Sequence, residues 1–229
     1  MTSVIPNHGG NVIEEASRQG IKVEQIIDAS ASIVPFKTPQ LILDCLGHDL
    51  TKTQIKYYPD QTYKSLKEAI ANFHNIDPEM VLPGNGSSEL ITWAGRDAAR
   101  IGISAIPIPG FSDYTRALNC WRGSYKKIKL PLCNFSNAPI PFPLEPEANV
   151  LWITNPHNPT GHLWTKQSIE RLLNKYDLII CDEAFISLAQ NGENESLISL
   201  TKKHDNLIII RSLTKIFAIA GLRLGYAIS

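Results

Sequence analysis

One lysine, Lys215, stands in the stretch Ser212-Leu213-Thr214-Lys215-Ile216-Phe217-Ala218-Ile219-Ala220-Gly221-Leu222-Arg223-Leu224-Gly225, after an apolar run and before a glycine-bracketed arginine. An amine held among Phe217, Ile219 and Leu222 is partly desolvated, which favours its neutral form and equips it as a Schiff-base nucleophile toward a carbonyl. The same spacing also suits a surface lysine on a loop. Asp182 closes the apolar run Leu178-Ile179-Ile180-Cys181 and is followed by Glu183. A carboxylate there can hold a ring nitrogen in its protonated form, or simply cap the turn that follows.

Three further stretches carry polar or aromatic groups at strand ends. Gly84-Asn85-Gly86-Ser87-Ser88-Glu89 follows an apolar run and opens a helical one. Its amides and hydroxyls can receive a phosphate with the helix dipole behind them, or the stretch is a glycine turn with a serine cap. Asn155-Pro156-His157-Asn158-Pro159-Thr160-Gly161 has two Asn-Pro steps and a glycine, which make a tight turn with or without a binding role. Phe111 follows Pro109-Gly110 and offers either a stacking face or a core side chain.

The elements that must position these groups read as βα units from Met80 onward, where short apolar runs alternate with helical stretches. Strands are expected at Met80–Leu82, Ala105–Ile108, Lys126–Leu130, Val150–Thr154, Leu178–Asp182, Leu207–Arg211 and Arg223–Ile228, giving a seven-stranded, mostly parallel sheet. Helices are expected at Ser87–Arg100, Ser112–Trp121 and Lys166–Lys175, with the proline-rich Pro139–Pro146 as an extended connector. Before the sheet, helices are expected at Val12–Gln19, ended by Gly20, at Pro39–Leu46 and at Tyr63–His74, with Val23–Ala31 extended. Lys215 then lies beyond the carboxyl end of a strand, the edge at which open α/β sheets bind ligands.

With 229 residues, 43% hydrophobic and 19% charged, the chain can bury a sizeable core. A formal net charge of zero gives no pull toward nucleic acid, and no apolar run approaches the length of a membrane span. The N-terminus lacks a charged-then-apolar export signal, so the cytoplasm is the expected compartment. Cys45, Cys120, Cys133 and Cys181 are scattered without Cys-x-x-Cys spacing, which suits reduced thiols better than disulfides or a zinc site.

Ser-Leu-Thr-Lys followed by apolar residues and Gly-Leu-Arg-Leu-Gly resembles the lysine signature of fold-type-I pyridoxal-phosphate enzymes, in the branch that holds the histidinol-phosphate aminotransferases. The resemblance implies an α/β large domain with pyridoxal 5′-phosphate on Lys215. It places the cofactor phosphate on Gly86, Ser87, Ser88, Ser212 and Arg223, and the pyridine nitrogen on Asp182. It puts Phe111 on the ring face and Asn158 at the phenolic oxygen. Tyr58, in Tyr57-Tyr58-Pro59-Asp60, matches a tyrosine that reaches the partner subunit's cofactor, which implies a homodimer.

Where the aminotransferases usually carry a tyrosine after Asp-Glu-Ala, this chain has Phe185. With the opening His8-Gly9-Gly10-Asn11, Asp28-Ala29-Ser30-Ala31-Ser32-Ile33 and Pro109-Gly110-Phe111-Ser112-Asp113-Tyr114, the chain looks most like the L-threonine-O-3-phosphate decarboxylases of cobalamin biosynthesis. A small phosphorylated amino acid is then the expected substrate, met by His8, Gly9 and Asn158. The expected organisation is residues 1–75 as an N-terminal segment of a small domain with dimer contacts, and residues 76–229 as the cofactor-binding large domain. The family's C-terminal small domain is expected to be missing, and the rival readings are a histidinol-phosphate-like aminotransferase and an inactive remnant.

Overall fold

Seven strands, β1 (Val81–Gly84), β2 (Ser104–Ile108), β3 (Tyr125–Lys129), β4 (Val150–Thr154), β5 (Leu178–Asp182), β6 (Leu207–Ser212) and β7 (Gly225–Ile228), form one sheet in the order β1-β7-β6-β5-β4-β2-β3. The computed structural model describes residues 9–51, 56–131 and 138–229. Strands β2 to β6 run parallel, and β7 runs antiparallel to both its neighbours. The expected mostly parallel sheet is therefore present, with one reversed strand.

Both faces of the central strands are covered, and each strand's alternation divides its side chains between two cores. Leu151, Ile153, Ile179, Cys181, Leu207 and Ile209 face one side, packed with Trp164, Leu172 and Ile70. Val150, Trp152, Leu178, Ile180 and Ile210 face the other. There they meet α4 (Ser87–Ile101) through Leu90, Ile91, Ala94 and Ala98, and α5 (Asp113–Cys120) through Tyr114, Ala117 and Leu118. A Cβ on Gly95 would lie 3.0 Å from Ala117, so a glycine there lets α4 and α5 close together.

Several boundaries differ from expectation for identifiable reasons. The last strand begins at Gly225 rather than Arg223, because Arg223 adopts a left-handed conformation (φ 52°, ψ 62°) after a 3-10 turn at Ala220–Leu222. The helix expected over Lys166–Lys175 is α-helical only at Lys166–Glu170 and continues as i→i+3 turns. Asn206 Nδ2 donates to the carbonyls of both Leu173 and Tyr176, each at 2.8 Å, so side-chain bonds satisfy the end of this segment. Val23–Ala31, expected to be extended, opens instead with a 3-10 turn at Val23–Gln25; beyond it Ile26 is extended and Ile27 is 95% exposed.

The remaining helices precede the sheet, lie between β4 and β5, or follow β6. The first, α1 (Val12–Gln19), ends at Gly20 in the left-handed region, as expected. Next, α2 (Gln40–Thr51) runs past the expected Leu46. The third, α3 (Lys64–His74), buries Ile70 and Ala71 against the sheet. Later in the chain, α6 is the short Lys166–Glu170 helix and α7 spans Leu213–Ile216. Cys45, Cys120 and Cys181 are free thiols, while Cys133 lies outside the described residues. Among the described residues no helix is long and apolar enough to cross a membrane.

Candidate active site

The turn after β6 carries Lys215 in α7, directly past the strand's carboxyl end. Lys215 is half-buried, and Phe185 presents its ring with the centroid 5.5 Å from Nζ. Burial lowers the amine's pKa; the Asp182 charge opposes this and the Arg223 guanidinium adds to it. The result favours a neutral, nucleophilic amine relative to a lysine in water.

Asp182 ends β5, the strand next to β6, and is buried. Its Oδ1 accepts from the amide of Ala184 at 3.0 Å, so the capping role is real. Its Oδ2 accepts from the Tyr114 hydroxyl at 3.0 Å, and that hydroxyl also meets Thr154 Oγ1 at 2.7 Å. Burial pushes the Asp182 carboxyl upward, while the Ala184 amide, Tyr114 and Lys215 pull it back. A desolvated carboxylate with a free charge-pairing need suits a protonated ring nitrogen. The sequence places Tyr114 in a helix and at the end of the Pro109–Tyr114 motif but does not pair it with Asp182.

The glycine turn between β1 and α4 forms a cradle. Gly86 has φ +81°, and a Cβ there would sit 2.7 Å from Arg223 Nη2 and 3.1 Å from its Cζ. Arg223 therefore lies against the start of α4, where the first-turn amides of Ser87 and Ser88 lack an intrahelical acceptor. Among the described residues no carboxylate pairs with Arg223, whose Nη1 donates to the carbonyl of Ala220 at 3.2 Å. A guanidinium fork beside a helix N-terminus is suited to a phosphate. Gly225 completes the approach: a Cβ on it would meet Ser87 N at 2.7 Å. Ser212 Oγ shares a 2.7 Å hydrogen bond with Thr214 Oγ1. Ser88 Oγ turns away toward α5, donating to Asp113 Oδ2 at 2.9 Å beside Arg116, so at this position the backbone amide rather than the hydroxyl is offered.

Asn158 lies on the turn after β4 and lines a cleft of about 320 Å³ with Ser32, His157, Phe185 and Leu188. Phe111 packs edge-on against Tyr114 with centroids 5.6 Å apart, which sets it beside the Asp182 pair. Lys215, Asp182, Phe111, Asn158, Gly86 and Arg223 thus belong to one sheet edge. Tyr58 does not join them: it is 97% exposed. Gly9 packs on Ser30, whose carbonyl oxygen a Cβ would meet at 2.1 Å, and Gly10 donates to Ser30 Oγ at 2.9 Å. His8 lies outside the described residues.

Sequence reasoning missed the ion cluster behind the site. Arg211 and Glu183 are buried and paired at 2.9 Å, with Glu193 holding both terminal nitrogens of Arg211 at 2.9 Å. Glu183 also accepts from the Leu197 amide at 2.7 Å and from Ser196 Oγ at 2.8 Å. This cluster fixes the turn that follows Asp182. No group of His, Cys, Asp and Glu side chains suited to a metal occurs among the described residues.

Known proteins resemble this chain over nearly its whole length. A provisionally named threonine-phosphate decarboxylase of Caldanaerobacter subterraneus subsp. tengcongensis is 36% identical over 96% of this chain and 59% of its own length. Histidinol-phosphate aminotransferase 1 of Mannheimia succiniciproducens is 31% identical over 98% of this chain and 62% of its own length. The crystal structure of the histidinol-phosphate aminotransferase from Clostridium acetobutylicum superposes with a TM-score of 0.75 at 26% identity, over 89% of this chain and 60% of that one. The chain spans about three-fifths of the length of these relatives. The family described as aminotransferase class I and II matches residues 24–229, from before the second helix through the reversed last strand, and the chain belongs to that family.

Proposed function

We propose that this chain binds pyridoxal 5′-phosphate and supplies the cofactor domain of a decarboxylase acting on L-threonine O-3-phosphate. The observation that carries the choice is Phe185, whose ring faces the Lys215 amine where the aminotransferases it resembles place a tyrosine hydroxyl. The 36% identity to a protein named for that decarboxylation, against 31% to an aminotransferase, supports the same reading.

The residues fit the cofactor by chemistry as well as by likeness. Gly86, Ser87, Arg223 and the amide of Ser88 would hold the phosphate, with Ser212 at the end of β6 beside them. Asp182 would hold the pyridine nitrogen, Asn158 the phenolic oxygen, Phe111 a ring face, and Lys215 the aldehyde carbon. When bound, pyridoxal phosphate supplies an electron sink for the pair released at the substrate's α-carbon. Asp182 keeps the ring nitrogen's proton in place because its own burial makes a cationic neighbour favourable. Lys215, with a pKa lowered by burial, would take up a proton from the substrate's ammonium group and deliver one to the α-carbon in place of the departing carboxylate. Asn158 and Ser32 line the cleft that orients the substrate, and orientation decides whether the bond to hydrogen or to carboxylate is the one released.

Residues 1–75 belong, in this reading, to a small domain and dimer contacts, and residues 76–229 to the cofactor domain. Tyr58, with its side chain in solvent, reaches a second copy's phosphate in a homodimer, and His8 and Gly9 meet the substrate. A second reading, a histidinol-phosphate-like aminotransferase, is favoured by the close superposition on the Clostridium acetobutylicum enzyme. Borohydride reduction of the chain mixed with pyridoxal phosphate, followed by peptide mass spectrometry, tests the cofactor site: adduct on Lys215 is expected. Adduct spread over surface lysines identifies an inactive remnant. Carbon dioxide release from O-phosphothreonine, rather than transfer of histidinol phosphate's amino group to a keto acid, then separates the two enzymes.

A further inference from the structure

Between the turns that carry Asn158 and Phe111 runs a chain of hydrogen bonds with no part in the chemistry above. His157 Nε2 lies 3.0 Å from the carbonyl oxygen of Pro109, and its Nδ1 lies 2.7 Å from Thr160 Oγ1. The same hydroxyl oxygen lies 2.6 Å from His162 Nδ1. A carbonyl can only accept, so Nε2 of His157 carries the proton. In a neutral ring Nδ1 then accepts from the Thr160 hydroxyl, and that hydroxyl accepts in turn from His162 Nδ1–H. Every donor in this run has an acceptor when both rings are neutral.

The rings have little freedom to leave these positions. His157 and His162 are 4% and 5% exposed, and His162 lies flat on Trp164 with centroids 5.6 Å apart and an interplanar angle of 5°. Trp164 Nε1 donates to the carbonyl of Thr154 at the end of β4, which anchors the stack to the sheet. Within the turn, Gly161 N donates to the His157 carbonyl at 2.7 Å and His157 N to the His162 carbonyl at 2.7 Å. The bond to Pro109 is the one link in this run that leaves the turn for the β2–α5 connection.

We infer that His157 is a positioning residue: its Nε2–H bond to the Pro109 carbonyl ties the Asn158 turn to the Phe111 turn and holds those two side chains at a fixed separation across the site. The assignment of Asn158 and Phe111 to a bound ring rests on the function proposed above, but the tie itself does not. His162 is the titratable group that faces His157, and Trp164 and Pro109 present a neutral ring and a carbonyl. A second proton on His157 puts two N–H donors on one hydroxyl oxygen and removes the acceptor of that hydroxyl's own proton. The run as a whole is therefore satisfied with a neutral imidazole, while the Nε2–H bond to Pro109 is common to both protonation states.

The test begins with the cofactor-free chain, by 15N relaxation. Order parameters near about 0.85 are expected at Gly110, Phe111, Asn158 and Gly161 in the native chain, falling below about 0.6 at both turns in His157→Leu. His157→Gln, whose terminal amide can reach the same carbonyl, is expected to restore them. Long-range 1H–15N spectra are expected to show His157 as the Nε2–H tautomer. With pyridoxal phosphate bound, the circular dichroism of the cofactor band is expected to weaken in His157→Leu and recover in His157→Gln. Unchanged order parameters, loosening of one turn alone, or a glutamine variant that behaves like leucine overturns the tie. If His157→Leu does not fold, His157→Phe removes both ring nitrogens while keeping a planar ring and carries the same prediction for both turns. A tie present without any Lys215 adduct would sink the proposed function and leave this inference standing; an adduct without the tie does the reverse.

Discussion

Gly86→Ala probes the cradle at its closest point. At φ +81° and ψ 160° Gly86 occupies a region that is essentially glycine's alone, and a side chain there costs about 1–3 kcal/mol. The added Cβ would also sit 2.7 Å from Arg223 Nη2, and the flexible end of that arginine has to swing away. Urea unfolding of the cofactor-free chain should show the first cost, about 1–3 kcal/mol. The second appears only when an anion is bound. A hydrogen bond to a charged group contributes about 1.5–3 kcal/mol, so displacing the fork should weaken pyridoxal-phosphate binding roughly tenfold to a hundredfold. Absorbance titration of the cofactor measures this directly. Since the loss is argued to act through Arg223, Gly86→Ala added to Arg223→Ala should cost little beyond Arg223→Ala alone. Losses that simply add would refute the reasoning, as would full affinity in Gly86→Ala.

Asp182→Asn should raise the melting temperature of the cofactor-free chain at neutral pH while abolishing cofactor retention. Burial holds the Asp182 pKa above its usual 3.8, so ionisation costs stability as pH rises, and the gain should vanish as pH falls toward about 4. Arg211→Met should cost about 3–5 kcal/mol in urea unfolding, because Glu183 is left buried without its cation, and Glu183→Gln in the same chain should return part of it. His74, bonded to the Tyr226 hydroxyl at 2.8 Å, has its pKa lowered to about 4 by burial and by the Arg211 charge. Its contribution to stability is complete above about pH 6.5 and is lost as pH falls from there to about 4, so His74→Gln should flatten melting temperature against pH across that window. A slope equal to that of the native chain would show that His74 does not cause it.

The strands were legible because burial on both faces demands continuous apolar runs, and Val150–Thr154 and Leu178–Asp182 have sequence edges that coincide with their structural ones. Direction was not legible. Nothing in Gly225-Tyr226-Ala227-Ile228 distinguishes an antiparallel partner from a parallel one; the 3-10 turn and left-handed Arg223 that reverse the chain depend on Arg223 docking at Gly86. Candidate site residues at strand ends were legible because motif and strand coincide there. Tyr114 and Arg211 were missed because their partners are set by register: Asp182 pairs with Ile210, which brings Glu183 beside Arg211. His157 was visible as a residue but not as a link, since Pro109 is distant in sequence and adjacent only once β2 and β4 pair.

The character of Lys215 follows from competition among these neighbours. The Phe185 ring attracts an ammonium by about 0.5–2 kcal/mol, depending on how dry the contact is, and Asp182 also favours the charged form. Yet the amine's pKa is lowered, so loss of water together with the Arg223 charge outweighs both. The lysine's reactivity is thus a consequence of where β6 ends rather than of a dedicated base. The same edge also sets the balance for an incoming anion: a phosphate seated at Arg223 would cancel the charge that helps depress Lys215, and would return the amine toward its protonated form. Filling the phosphate cradle and keeping the amine neutral are therefore opposed at Lys215.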